Sequence, residues 1–98
     1  MTTSNLIFLA TLEAIIADRL ENPTRESYTA GLIALGTKRV AQKVGEEAVE
    51  VALAAVDGDR EEVINEAADL IYHLLVLLNS QGIQLSDVTT VLESRHTG

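Results

Sequence analysis

The stretch KRVAQKVGEEAVEVALAAV, DGD, REEVINEAADLIYHLLVLLNS, residues 38–80, decides how this chain folds. In its first part Val40, Val44, Val51 and Ala54 or Ala55 recur among charged residues at intervals of three and four, the spacing of one face of an α-helix, predicted over about 38–56. Asp57, Gly58 and Asp59 form a turn, and Asp59 followed by Glu62 is a variant of the capping box that opens a second helix to about Ser80, closed by Gly82. The apolar residues of that helix, from Val63 and Ile64 to Leu77 and Leu78, cover more than one stripe. This predicts a central helix buried on most sides and forming part of a subunit interface.

Working outward, Leu6, Leu9, Leu12, Ile16 and Leu20 predict a helix over 5–21, ended by Asn22 and Pro23. Thr24 is a candidate cap for a segment containing Tyr28, Leu32 and Leu35, with Gly36 as its stop and Thr37 as a cap for the next helix. Leu85 and Ser86 open a last helix through Val88, Val91 and Leu92, followed by the polar tail 93–98. No strand pattern competes, and the loops suit antiparallel helix neighbours. The expectation is an all-α bundle of four to five helices forming one domain over 1–98.

Composition narrows the function. Of 98 residues 47% are hydrophobic but only 3% aromatic, so Leu, Val, Ile and Ala must make the core. A chain this short buries a modest share of its surface alone, which predicts that a second copy completes the bundle as a homodimer. Cysteine is absent, which excludes disulfides and thiolate chemistry and fits a reducing, cytoplasmic setting. The run 6–17 lacks a basic flank and carries Glu13, unlike a signal peptide, and the longest purely apolar run, 74–78, is too short to span a bilayer. A net charge of −8 repels phosphate backbones and argues against nucleic-acid partners.

The acids are unevenly placed. Glu46, Glu47 and Glu50 stand at i, i+1 and i+4 on one helix, and Glu66 and Asp69 at i and i+3 on the next, among alanines and leucines. Like charges so spaced repel, and buried unpaired carboxylates are costly, so the arrangement calls for solvation or a cation. If the two helices run antiparallel across the turn, the two acid sets lie at similar height and face each other. Oxygen ligands without thiolates suit Mg²⁺ or Mn²⁺ and disfavour zinc. A di-iron bundle requires Glu-x-x-His, and the residue three after Glu66 is Asp69.

Lys38, Arg39 and Lys43 lie upstream on the acidic helix and are candidates for phosphate oxygens, although Lys43 to Glu47 is also an ordinary i,i+4 pair. Gly45 inside the helix means a bend, close packing, room for a ligand, or simply a tolerated glycine. His73 on an apolar helix is either a hydrogen-bonded core residue or a functional one. Ser27, Tyr28 and Thr29 open a helix, where capping and anion binding are the two readings.

Ser27-Tyr28-Thr29, Lys43-Val44-Gly45-Glu46-Glu47-Ala48-Val49-Glu50 and Glu66-Ala67-Ala68-Asp69-Leu70-Ile71-Tyr72-His73-Leu74-Leu75 resemble, in this order, the phosphoribosyl-ATP pyrophosphohydrolase family of histidine biosynthesis. The broader pattern Glu-Glu-x-x-Glu with Glu-x-x-Asp is shared with the all-α, MazG-like nucleoside triphosphate pyrophosphatases. The resemblance implies Mg²⁺-dependent hydrolysis of the α–β phosphoanhydride of phosphoribosyl-ATP, giving phosphoribosyl-AMP and pyrophosphate. It implies metal ligands at Glu46, Glu47, Glu50, Glu66 and Asp69, with Glu47 as the candidate base. Phosphate contacts fall to Lys38, Arg39 and Lys43, and substrate positioning to Ser27, Tyr28 and His73. It also implies a homodimer and a separate phosphoribosyl-AMP cyclohydrolase for the next step. Two rivals remain: a house-cleaning pyrophosphatase acting on unwanted nucleotides, and a non-catalytic helical dimerisation module.

Overall fold

The computed structural model describes residues 3–24 and 27–97; Gly98 of the polar tail lies outside them. Five helices follow in order: α1 (Thr3–Glu21), α2 (Tyr28–Ala34), α3 (Thr37–Asp57), α4 (Arg60–Ser80) and α5 (Leu85–His96). Among the described residues there is no strand, and no helix is long and apolar enough to cross a membrane.

The α3–α4 hairpin is the frame of the molecule and makes its most extensive helix contact. Its turn is built by Gly58, whose φ of 75° is a left-handed conformation that costs glycine little, and Asp59 N–H reaches back to the carbonyl of Ala54 at 3.2 Å. Asp59 then caps α4 by accepting from the Glu62 N–H at 3.1 Å. At the far end Gln81 Nε2 lies 3.4 Å from Thr37 Oγ1, so the end of α4 meets the start of α3 and the pair is antiparallel. That orientation was the premise for bringing the two acid sets together.

Three expected features differ. Ser27, not Thr24, caps α2, accepting from the Ala30 N–H at 3.1 Å, because the chain becomes helical only at Tyr28. Thr37 is inside α3 rather than its cap; Gly36, at φ 96°, takes that position and has no side chain to offer. The central helix is also less enclosed than its sequence predicts. Only His73, Leu75 and Val76 of α4 are buried, while Ile64, Ile71 and Leu74 are exposed, because four neighbouring helices of this length do not surround it.

The core is correspondingly small: Ile16, Leu32, Val40, Leu75 and Val76, flanked by Leu12, Leu20, Ile33, Tyr72, Leu77 and Leu85. One or two residues from each of α1 to α4 meet there, which fixes α1 and α2 against the hairpin. α5 buries no residue of its own. It is held at its first turn, where Leu85 packs on the core and its N–H donates to Glu13 Oε2 of α1 at 2.6 Å, and where Gln84 and Asp87 form a capping box.

Candidate functional site

Halfway along the hairpin the carboxylates of Glu47, Glu66 and Asp69 each place an oxygen within 4.8 Å of the others. Glu47 is 6% exposed, Glu66 is half-buried and Asp69 is open to solvent, so the cluster forms a mouth with a closed inner side. Glu47 comes from α3 and the other two from α4, one turn apart, so the antiparallel pairing brings them together.

The electrostatics of the cluster are unbalanced. Lys43 Nζ lies 3.5 Å from Glu47 Oε1 and 3.8 Å from Glu46 Oε1, one cation against several anions. The second oxygens of Glu47 and Glu66 are buried and have no hydrogen-bond donor. The Glu66 carboxyl is pushed up to about 8, first by Glu50, with which it can share a proton, then by burial, by Glu62 and Glu47, and by the Glu50 charge. A proton on Glu66 relieves the repulsion in the absence of a cation. The unpartnered oxygens and the all-oxygen donor set fit a hard divalent cation. The residues that could hold such an ion are Glu47, Glu66 and Asp69, with Glu50 beside Glu66.

The remaining sequence-derived residues divide between this cluster and its surroundings. Glu46 is exposed on the flank of α3, where it accepts from Gln42 Nε2 at 3.2 Å and faces Lys43. Consecutive helical residues diverge by about 100°, so with Glu47 turned inward Glu46 stands on the flank of α3. Ser27 is engaged as a cap. Lys38 is exposed, whereas Arg39 is half-buried and lines a cavity with Lys43 and Tyr28.

Two polar links join α2 to α4 beside the cluster. His73, 6% exposed, has its Nδ1 2.7 Å from the carbonyl of Asp69 and its Nε2 2.9 Å from the Tyr28 hydroxyl. A carbonyl only accepts, so Nδ1 carries the proton and Tyr28 donates to Nε2. His73 is thus both buried in the core and tied to an exposed aromatic ring, which combines the two readings of this residue. Thr29 and Tyr72 hydroxyls form the second link, and the rings of Tyr28, Tyr72 and His73 pack together with centroids 5.1–6.1 Å apart. The sequence presents Thr29 only as one of the hydroxyls that open α2 and Tyr72 only as part of a family motif, and it does not mark Glu62 as a site residue. Glu62 stands four before Glu66, a like-charge helical spacing that was readable; the Thr29–Tyr72 contact joins residues 43 apart in sequence and was not.

Comparison with known proteins gives a family match over most of the chain. The family model described as phosphoribosyl-ATP pyrophosphohydrolase matches residues 9–96. The chain is 59% identical over 91 residues to the histidine biosynthesis bifunctional protein HisIE of Photobacterium profundum, covering 93% of this chain and 44% of that protein. The proteins of the same name from Vibrio cholerae and Escherichia coli are 57% and 55% identical, over 95% and 97% of this chain and 44% and 47% of theirs. The chain therefore spans about half the length of the curated relatives it matches. The printed name of these relatives describes each of them as bifunctional, and this chain matches only part of each.

Proposed function

Because the chain belongs to the phosphoribosyl-ATP pyrophosphohydrolase family, we propose that it hydrolyses the α–β phosphoanhydride of phosphoribosyl-ATP, releasing pyrophosphate and phosphoribosyl-AMP in histidine biosynthesis. The observation that carries this reading is the convergence of Glu47, Glu66 and Asp69 with two buried carboxylate oxygens lacking donors. Such a cluster is suited to a cation that neutralises a polyphosphate.

Glu47, Glu50, Glu66 and Asp69 would hold Mg²⁺, with Mn²⁺ as a substitute, and Glu46 stands by on the flank. The ion would supply charge neutralisation at the phosphoryl oxygens and lower the cost of the leaving pyrophosphate. Glu47 is the proposed base: one oxygen is oriented by Lys43, and the other faces the enclosed side of the cluster, where it could take a proton from an attacking water. Lys43 restrains Glu47 and presents its remaining donors at the mouth. His73 holds Tyr28 by its hydroxyl, so that the ring stands beside the cluster in one orientation. Lys38 lies further out as a contact for the charged substrate.

A homodimer is part of the proposal. A folded monomer of 10.5 kDa ordinarily exposes about 5,400 Å², whereas this chain exposes 6986 Å². The excess, on the order of 1,500 Å², is what each copy contributes to an obligate interface. Val49, Leu53 and Val56 form an exposed apolar stripe along α3, with Gly45 at its upper end offering open space for close approach. The cysteine-free composition and a role in amino-acid synthesis support a cytoplasmic location.

The test is pyrophosphate release with Mg²⁺ from phosphoribosyl-ATP, ATP, dUTP and dCTP, repeated with Glu47→Gln. Selective turnover of phosphoribosyl-ATP that falls by at least about 100-fold in the variant is the expected result. Preference for a free nucleotide would point to a house-cleaning enzyme, and no turnover by folded, Mg²⁺-loaded protein to a binding module.

A further inference from the structure

A cavity of about 390 Å³ opens between α2 and α3, lined by Tyr28, Gly31, Leu32, Leu35, Arg39 and Lys43. Its size is that of a site for a small organic ligand. Its walls are of two kinds. The Tyr28 ring and Leu35, 56% and 67% exposed, form an apolar side, and Arg39 with Lys43 a cationic one.

The two cations are not equivalent. Lys43 is engaged by Glu47 and Glu46, so its charge is already shared with the carboxylate cluster. Arg39 makes no ion pair with any carboxylate among the described residues, although it is half-buried on a chain with net charge −8. A guanidinium held beside a cavity with no acidic partner among the described residues is suited to an anion from outside, and its planar fork matches a phosphate.

Position along α3 connects the cavity to the cluster. Arg39, Lys43 and Glu47 stand at i, i+4 and i+8, on one face, so Arg39 lies roughly 12 Å along the helix axis from the carboxylates. Lys43 belongs to both places, touching Glu47 and lining the cavity. A ligand with a polyphosphate at the cluster and a second phosphate at its other end would run past Lys43 and end at Arg39.

We propose that this cavity holds the phosphoribosyl half of the substrate, that Arg39 pairs with its terminal phosphate, and that Tyr28 and Leu35 pack against the purine and sugar between the two phosphates. The assignment rests on the activity proposed above and makes Arg39 the residue that separates a doubly phosphorylated nucleotide from an ordinary one. Nucleoside triphosphates would use the carboxylate cluster equally but leave Arg39 without a partner.

The experiment is calorimetric binding of phosphoribosyl-AMP and of AMP, with Mg²⁺, to the full chain, to Arg39→Gln, to Arg39→Lys and to Gly31→Leu. Arg39→Gln should weaken phosphoribosyl-AMP binding on the order of 10- to 100-fold, the worth of a charge-assisted contact, bringing it down to the level of AMP. Arg39→Lys should recover part of the loss. Gly31→Leu projects into the cavity from a position where a Cβ meets nothing within 4 Å, so a fall in phosphoribosyl-AMP affinity there reports occupied space rather than a damaged fold. The proposal is overturned if the wild-type chain does not prefer phosphoribosyl-AMP, or if Arg39→Gln binds it within about twofold of wild type. These failures are separable from that of the activity: turnover of phosphoribosyl-ATP with an indifferent Arg39 sinks only the cavity assignment, whereas absent turnover sinks the reaction.

Discussion

Replacing Tyr28 by Phe removes one oxygen atom and tests how the aromatic wall of the site is held. The Tyr28 hydroxyl donates to Nε2 of His73 at 2.9 Å, and His73 is 6% exposed with its other nitrogen committed to the Asp69 carbonyl. In Tyr28→Phe the ring nitrogen keeps its lone pair but loses its donor, and an unsatisfied buried acceptor costs about 1–3 kcal/mol. The half-open surroundings of Tyr28 let water partly replace the hydroxyl, which puts the expected cost at the lower end, about 1–2 kcal/mol. For a domain of this size that is a fall in Tm on the order of 4–16 °C. His73→Leu should cost less than the sum of its lost bonds suggests. The Tyr28 hydroxyl then turns to solvent, and the Asp69 carbonyl remains in the helical ladder. The double variant should therefore be more stable than adding the two single effects predicts, by about 1 kcal/mol. Thermal unfolding of the four proteins at pH 7.5, at one protein concentration and with Mg²⁺ held constant, measures the cycle. A Tyr28→Phe variant within about 0.3 kcal/mol of wild type, with additive effects, would refute the link and with it the orientation of the ring.

The remaining predictions concern charge and assembly. Glu66 has a folded value of about 8, above its ordinary 4.5, so the folded chain binds a proton more tightly than the unfolded one. Its contribution is present below about pH 4.5 and is lost as pH rises through about 8. In EDTA, then, Tm should fall across this window more steeply in wild type than in Glu66→Gln, and Mg²⁺ should lessen the fall by taking the proton's place; equal slopes in EDTA would remove the argument for a shared proton. On the outer face of α3, Leu53→Glu should convert a dimer seen by light scattering into a monomer, since Leu53 is 59% exposed in the isolated chain and a charge there cannot be buried unpaired. A variant that remains dimeric would move the interface elsewhere.

Much of this was legible in the residues. The three-to-four spacing of Val40, Val44 and Val51, the Asp57-Gly58-Asp59 turn and the stop at Gly82 mark α3, α4 and their hairpin to within a residue, because helix formation and termination depend on neighbours a few positions away. The family resemblance noted on the acidic motifs agrees with the family match over 9–96. Caps were less readable: Thr24, Ser27 and Thr37 are all competent, and which one acts depends on where the chain turns helical.

What the sequence determined by itself was the helical class, the hairpin and the presence of two acid sets at matching distances from one turn, since all three are properties of local periodicity. The tertiary structure decided how those residues are shared out. It turned Glu47 inward and Glu46 outward, gave Lys43 to the carboxylates, left Arg39 at a cavity and tied Tyr28 to His73 across 45 residues. Adjacent helical side chains diverge by about 100°, so which of the two faces α4 depends on how α3 is rotated about its own axis. That rotation is set by how Val40, Leu75 and Val76 pack with Ile16 and Leu32, contacts between distant segments that no local spacing encodes.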